Sequence, residues 1–113
     1  MKLCYKIWLD NDGKAFGEGP YRLLKGIQKT GSLSQTTNEM GISYRKAWSV
    51  LKTTEKRLGF ALVERKVGGV SGGGTKLTPE GNAFLARYEL FRREVSETLD
   101  GLYNKYFTEN VDN

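Results

Sequence analysis

The sequence predicts a mainly α-helical fold with a small β component, the α+β class. Four segments carry apolar residues at helical spacing, and a glycine closes each of the first three. Two short segments rich in β-favouring residues flank turns, one at the N-terminus and one before the last helix. A chain of 113 residues holds one modest core, so we expect a single domain over residues 1–113.

Residues 1–17 predict an N-terminal β-hairpin. Apolar residues alternate with a period of two along residues 2–10, and the Asn-Asp-Gly run at 11–13 supplies a tight turn. Two strands alone are marginal in water, so this hairpin has to pack on the helices or extend another sheet. We expect Cys4 to be a buried small hydrophobe, and Trp8 to be either exposed or packed on a partner element.

Residues 20–58 predict three helices around one core. Pro20 opens the first helix where its missing amide is harmless, and Gly31 closes that helix. Ser32 is the expected N-cap of the second helix, with Gln35 as its capping-box partner. The side chains expected to share the core are Leu23, Leu24, Ile27, Leu33, Met40, Ile42, Leu51 and Leu58.

The third helix, residues 44–58, has an apolar side and a basic side. Gly41 ends the preceding helix and Ser43 caps this one, so a tight turn joins the two. The apolar side is expected to bury Ala47, Leu51, Thr54 and Leu58, widened by Tyr44 and Trp48. The basic side stacks four polar residues at steps of four, three and four: Arg45, Ser49, Lys52 and Lys56.

That basic side has two interpretations. A helix of this width fits the major groove of DNA, where Arg and Lys reach guanine edges and phosphates. A solvated lysine face is the alternative. The short preceding helix and the glycine turn favour DNA binding, because they complete a helix-turn-helix with residues 44–58 as its recognition helix.

Residues 61–78 predict a second hairpin, here called the wing. A strand over residues 61–67 returns through 75–78, and five of the seven residues between them are glycine. Such glycines leave backbone amides free for phosphate, although a flexible hairpin tip explains them equally well. A nucleotide-binding loop does not fit, because it needs Gly-Lys-Ser or Gly-Lys-Thr before a helix. Contact with the DNA backbone or minor groove is favoured by the flanking cations Arg65, Lys66 and Lys76.

Residues 79–107 predict a long helix with an apolar seam. Thr78 caps it, Pro79 presets its first φ angle, and Glu80 lies near the positive end of the helix dipole. A helix of roughly 40 Å exceeds so small a core, so we expect its seam to form a homodimer interface. The seam residues recur at steps of three or four: Phe84, Tyr88, Phe91, Val95, Leu99, Leu102 and Tyr106.

The chain resembles a known family in three motifs, GISYRKAW at 41–48, LVER at 62–65 and LTPEG at 77–81. With the glycine-rich stretch, they are similar to the N-terminal DNA-binding domain of ModE-type molybdate-responsive regulators and, more distantly, to LysR-type winged helices. The resemblance implies a winged helix-turn-helix that binds a palindromic operator as a homodimer. Thr36 and Thr37 replace the small alanines usual in such motifs, which predicts looser packing of the two helices. The chain ends where the family's molybdate-binding domain would begin, so the resemblance does not extend to molybdate sensing, and no small-molecule effector is evident from the sequence.

Charge and composition agree with a nucleic-acid partner. The net charge is +5, but residues 20–78 carry eleven Lys or Arg against three acids, and the remainder carries seven against ten. The absence of histidine, with one cysteine, removes the usual zinc sites and histidine-dependent triads. We therefore expect no enzyme, no metal and no cofactor. Without a signal peptide or an apolar run near 18 residues, we expect a cytoplasmic protein that does not enter membranes.

The sequence thus predicts a sequence-specific transcriptional regulator that binds double-stranded DNA as a homodimer. The alternative is a winged-helix adaptor that binds another protein through its long aromatic helix. An adaptor has no need for the basic side of the third helix, so that side separates the two hypotheses. The residues expected to contact DNA are Ser34, Gln35, Ser43, Tyr44, Arg45, Lys46, Ser49, Lys52, Lys56, Arg65, Lys66, Ser71, Gly73 and Lys76.

Overall fold

The computed structural model describes residues 1–66 and 74–108, which form four helices and two short hairpins. The elements in chain order are β1 (Leu9–Asp10), β2 (Lys14–Phe16), α1 (Glu18–Thr30), α2 (Leu33–Met40), α3 (Tyr44–Leu58), β3 (Val63–Lys66), β4 (Gly74–Leu77) and α4 (Pro79–Phe107). This order confirms the predicted class, mainly α with a small β component. Among the described residues, no helix combines the length and the apolar character needed to cross a membrane.

The chain clusters into two compact units. One comprises Ile7–Leu85 and holds both hairpins, α1 to α3 and the start of α4. The other comprises Met1–Lys6 together with the chain from Ala86 onward.

Left-handed glycines end the first three helices, as the sequence predicts. Gly31 has φ 71°, Gly41 has φ 73° and Gly59 has φ 89°. An L side chain at this conformation would be strained, and glycine avoids the penalty because it has no Cβ. The C-terminal ends of these helices therefore follow from the sequence. The start predicted for α1 is wrong, because the helix begins at Glu18, two residues before Pro20, which still lies in the first turn, where a missing amide is harmless.

Serine hydroxyls cap α2 and α3. Ser32 Oγ accepts from the amide of Gln35, and Ser43 Oγ accepts from the amide of Lys46, each at 3.0 Å. The second hydrogen bond of the predicted capping box has a different acceptor. The capping box would have the amide of Ser32 donate to the Gln35 side chain, but this amide donates to Thr30 Oγ1 at 3.1 Å.

The core of Ile7–Leu85 forms where the three helices, the first hairpin and the start of α4 meet. The Phe84 ring packs edge-on against Phe16 at 4.8 Å and Phe60 at 5.7 Å between ring centroids. Met40, Ile42 and Leu58 are only half-buried, because they lie at the ends of helices or in the turn. The largest fully buried side chains are Phe16, Leu23, Leu24, Ile27, Leu33, Leu51, Leu62 and Leu85.

The contact between α1 and α2 is tight, contrary to the looser packing predicted for Thr36 and Thr37. Each threonine is 2% exposed, and Thr36 Oγ1 donates to the carbonyl of Ser32 at 2.8 Å. The Thr36 methyl group fills the space above Gly26, where an added Cβ would overlap Thr36 Cγ2. A glycine on α1 therefore compensates for the larger residue on α2.

The N-terminal hairpin is shorter than predicted. Pairing is limited to Leu9 with Phe16 and Asp10 with Lys14, with a register shift between them. Residues 1–8 form no strand despite their alternation, because β2 offers only three residues whose backbone groups could pair with them. Alternation alone indicates an amphipathic segment and does not supply the partner.

Two predictions for this segment have clear outcomes. The burial predicted for Cys4 is wrong, since Cys4 is exposed and belongs to no strand. Trp8 is half exposed, and the ammonium of Lys14 lies 5.3 Å from its ring centroid. The N-terminal residues thus contribute less to the core than their composition indicates.

The LTPEG motif fixes the start of α4. Thr78 Oγ1 accepts from the amide of Gly81 at 2.8 Å and donates to the carbonyl of Ala61 at 2.6 Å. The amide of Thr78 donates to the carbonyl of Leu62 at 3.0 Å. A Cβ at Gly81 would overlap that same Leu62 carbonyl. Only glycine allows the first turn of α4 to approach the backbone this closely.

Candidate nucleic-acid interface

Helix α3 separates a buried side from a basic exposed side, as the sequence predicts. Ala47, Leu51 and Thr54 are buried, whereas Tyr44, predicted to widen the buried side, is 44% exposed because it lies at the start of the helix. Its basic side is solvent-exposed over about three turns and consists of Arg45, Ser49, Lys52 and Lys56. The helix therefore presents its cations where a polyanion can reach them.

The wing is an antiparallel hairpin whose register runs from Val63 opposite Leu77 to Lys66 opposite Gly74. Glu64 lies opposite Lys76, and their charged groups are 3.3 Å apart. Part of the Lys76 charge is thereby neutralised. The cations of β3, Arg65 and Lys66, are both exposed.

The wing docks against the end of α1. The amide of Thr75 donates to the carbonyl of Gly31 at 3.0 Å. A Cβ at Gly74 would lie 2.8 Å from the same carbonyl, and the Lys66 ammonium lies close to Gly31. A cation is favourable at this position because the C-terminus of a helix carries partial negative charge.

Glu55 connects α3 to the start of the wing. Its Oε2 accepts from the amides of Leu62 at 2.7 Å and Val63 at 3.3 Å, and its Oε1 lies 3.5 Å from the Lys52 ammonium. One largely buried carboxylate therefore holds the backbone that enters β3 and also contacts the basic side of α3. The sequence did not predict this role of Glu55, because the two amides lie seven and eight residues later in the chain, after α3 has ended. The spacing of neighbours on a helix, three or four residues, does not indicate such a contact.

An open cleft lies between helix α3 and the wing, and it is here called the recognition cleft. The guanidinium of Arg65 lies 5.4 Å from the Trp48 ring centroid, and the Lys52 ammonium lies 5.2 Å from the same centroid. The cleft is lined by Arg45, Trp48, Ser49, Lys52 and Arg65. Two elements that are distant in sequence therefore bring three cations to one surface.

A second cleft joins the starts of α2 and α3 to the wing. Its lining residues include Ser34, Tyr44, Arg65, Lys66 and Thr75. Arg65 lines both clefts, so the two adjoin at this side chain. Ser34 of α2 and Lys66 of the wing, both predicted to contact DNA, thus share one surface.

All described candidates for DNA contact are exposed, but not all of them line these two clefts. Ser71 and Gly73 lie outside the described residues. The exposed candidates that lie outside both clefts are Gln35, Ser43, Lys46, Lys56 and Lys76.

Besides Glu55, two residues have roles that the sequence did not indicate. Trp48, predicted to widen the buried side of α3, forms part of the recognition cleft. Arg57, counted among the central cations, donates from Nη1 to the carbonyl of Lys14 at 2.5 Å. The Asn11 side-chain amide donates to the carbonyl of Arg57 at 2.7 Å. Arg57 is therefore a structural contact of the first hairpin.

The seam of α4 is only partly exposed. Phe84 packs in the core and Tyr88 is buried, so in this conformation neither offers a surface to a second chain. Val95 and Leu99 are half-buried. The exposed part consists of Phe91, Leu102 and Tyr106.

Metal binding finds no support in the described part of the chain. Nowhere within residues 1–66 and 74–108 do three or more His, Cys, Asp or Glu side chains group as a metal ion would require.

A basic helix beside a β-hairpin that docks on the same bundle is the arrangement of a winged helix-turn-helix DNA-binding domain. The chain belongs to the lysR family of bacterial regulatory helix-turn-helix proteins, because the model of that family matches residues 21–82, more than half of its length. The match extends from α1 through the wing to the start of α4. The chain therefore contains the helix-turn-helix domain of that family.

Comparisons with curated proteins confirm the resemblance to ModE-type regulators. The chain is 36% identical over 98 residues to the molybdenum transport protein ModE of Azotobacter vinelandii. The aligned region covers 86% of this chain and 36% of that protein. It is 38% identical over 80 residues to the DNA-binding transcriptional dual regulator ModE of Escherichia coli (strain K12). That aligned region covers 71% of this chain and 30% of that protein. The chain thus spans about a third of the length of these relatives.

A solved structure confirms the fold. The DNA-binding domain of BenM in complex with catB site 1 DNA matches with a TM-score of 0.59 at 19% identity, over 79% of this chain and 93% of that chain. At this identity the likeness concerns the fold alone. It supports the assignment of α1 to α3 and the β3–β4 hairpin as a winged helix-turn-helix.

Proposed function

We propose that the chain recognises a specific double-stranded operator as a homodimer, with α3 in the major groove and the wing against the adjoining backbone or minor groove. The recognition cleft is the observation that supports this most strongly. It gathers Arg45, Lys52 and Arg65 from two elements onto one exposed surface. Arg45 lies in the first turn of α3, where side chains of recognition helices meet base edges.

The charges around the cleft favour an anionic partner. The segment 20–78 contains three acids, and two of them are already paired, Glu55 with Lys52 and Glu64 with Lys76. Arg45 and Arg65 have no carboxylate partner among the described residues. A surface with unpaired guanidinium groups attracts phosphates and releases their condensed counterions on binding.

Dimerisation is the second part of the proposal. Phe91, Leu102 and Tyr106 of α4 are exposed at seam positions, and burial against the same seam of a second copy would remove them from water. A two-fold dimer carries two copies of α3, so its operator would be palindromic with half-sites about 34 Å apart or a multiple of that distance.

The relatives support regulation through DNA. One of them bears the description of a DNA-binding transcriptional dual regulator. Because the chain spans about a third of these relatives, the proposal carries over DNA binding and leaves out any molybdenum-dependent activity.

The test is the salt dependence of binding to a short duplex of arbitrary sequence. The affinity should fall steeply as KCl rises, with a log-log slope that gains about 0.9 per phosphate neutralised. Lys52→Ala should make this slope shallower, whereas Arg93→Ala, an exposed residue of α4 outside both clefts, should not. A wild type that binds no duplex at low salt, or binds independently of salt, would favour the adaptor hypothesis.

A further inference from the structure

Trp48 forms the part of the recognition cleft where α3 meets the wing. The guanidinium of Arg65 lies 5.4 Å from its ring centroid, and the Lys52 ammonium lies at 5.2 Å. The Tyr44 ring contacts it edge-on at 6.2 Å. Arg and Lys are attracted to the negative face of an aromatic ring, and the indole of Trp gives the strongest such contact.

The Trp48 ring is the contact that restrains Arg65. The two carboxylates of α3, β3 and β4 are each paired with a lysine, Glu55 with Lys52 and Glu64 with Lys76. In the part of the chain that the structure describes, Arg65 has no ion-pair partner. An exposed arginine without such a contact would sample many rotamers and lose that freedom on binding.

The face of the indole, and not its N–H, makes these contacts. Trp48 Nε1 is buried and has no hydrogen-bond partner among the described residues. An aromatic side chain without the N–H should therefore keep much of the attraction to Arg65, whereas an aliphatic side chain should lose it.

We propose that Trp48 is a positioning residue of the DNA interface, which holds Arg65 of the wing in place beside Arg45 and Lys52 of α3. With the Arg65 guanidinium held over the Trp48 ring, the wing and the recognition helix meet DNA as one preformed surface. This inference rests on the proposed function and names the residue that couples the two elements of that interface.

The test is a double-mutant cycle on a short duplex of arbitrary sequence at low salt. Trp48→Leu should weaken binding by about two- to fivefold, and Trp48→Phe should restore most of that loss. Arg65→Ala should weaken binding less in the Trp48→Leu background than in the wild type, because the two residues act together. The matched control is Trp8→Leu, which removes a tryptophan with Lys14 over its ring outside the cleft and should leave binding unchanged.

Additive losses, or a Trp48→Phe variant as weak as Trp48→Leu, would overturn the inference while the wild type still binds. A wild type that binds no duplex would overturn the proposed function and this inference with it. A second measurement needs only folded protein, in case Trp48→Leu does not fold. The chain has two tryptophans, so in a Trp8→Phe background the tryptophan fluorescence, excited selectively over that of the tyrosines, arises from Trp48. Arg65→Ala should then shift the Trp48 emission, and an unchanged spectrum would contradict the contact.

Discussion

Gly26 on α1 and Thr36 on α2 are complementary in shape. The buried Thr36 side chain occupies the volume that a Cβ at position 26 would need, and its hydroxyl is held by the Ser32 carbonyl and by Thr30 Oγ1 at 3.1 Å. Thr36 cannot turn away without breaking these hydrogen bonds. The pair therefore sets how closely the first two helices approach.

Gly26→Ala should destabilise the chain despite the better helix propensity of alanine. The added methyl group would overpack a site whose neighbour is fixed, which typically costs about 1–3 kcal/mol. Chemical denaturation monitored by far-UV circular dichroism measures this loss. Combining Gly26→Ala with Thr36→Ala should recover part of it, and strictly additive losses would contradict the proposed fit.

Gly81→Ala should be more damaging than a typical helix substitution. Its methyl group would meet the Leu62 carbonyl, a backbone atom that also accepts from the amide of Thr78, so no rotamer change relieves the overlap. Gly101, in the same helix, has open space around it and provides the matched control. Gly101→Ala should stabilise by roughly 0.5–1 kcal/mol, through helix propensity alone. Equal effects of the two substitutions on the thermal midpoint would refute this account.

Arg45→Ala should relax sequence preference, whereas Lys66→Ala should weaken binding to all duplexes alike. Arg45 lies in the first turn of α3, where a bidentate contact to a base would give about 1–3 kcal/mol of discrimination. Lys66 lies on the wing near the end of α1, and we expect it to contact the DNA backbone. Binding selections from a random duplex library, compared between the two variants, measure the difference. Loss of the same factor on selected and random DNA in both variants would show that the assignment is wrong.

Polar substitution of Leu99 and Leu102 together should give a folded monomer with much weaker operator binding. Leu102 is 48% exposed and Leu99 is half-buried, so the loss of apolar surface should act mainly on the dimer. Sedimentation equilibrium, with circular dichroism as the check on folding, measures the effect. Leu90→Ser is the control, because Leu90 is exposed about 100° around the helix from the seam residue Phe91. A monomeric wild type would contradict the dimer and make the exposed residues of α4 candidates for docking another protein.

The sequence predicted the helices well because their ends depend on local chemistry. A left-handed glycine or a capping serine acts within four residues of itself, so the bounds of α2, α3 and α4 agree with the prediction. The predicted length of the first strand was too great, because a strand needs a neighbouring strand to pair with, and the alternation of apolar residues does not show whether one is present.

The candidate interface was predicted only in part, for the same reason. The basic side of α3 follows from helical spacing, whereas the role of Arg57 depends on Lys14, 43 residues away. Nothing in a run of cations distinguishes one that binds a carbonyl from one that faces solvent. The contact of Arg65 with the Trp48 ring likewise could not be predicted from the sequence, because it depends on how the wing packs beside α3.

Glu55 has a consequence for the interpretation of genetic screens. Its carboxylate repels phosphate, yet it fixes the amides of Leu62 and Val63 and lies beside Lys52. Under the proposed function, a selection for alleles that no longer bind DNA would therefore recover changes at Glu55 together with changes at Arg45. The two classes of allele would share a phenotype but differ in cause, because changes at Glu55 remove the hydrogen bonds that hold the start of the wing, whereas changes at Arg45 remove the proposed contact to DNA.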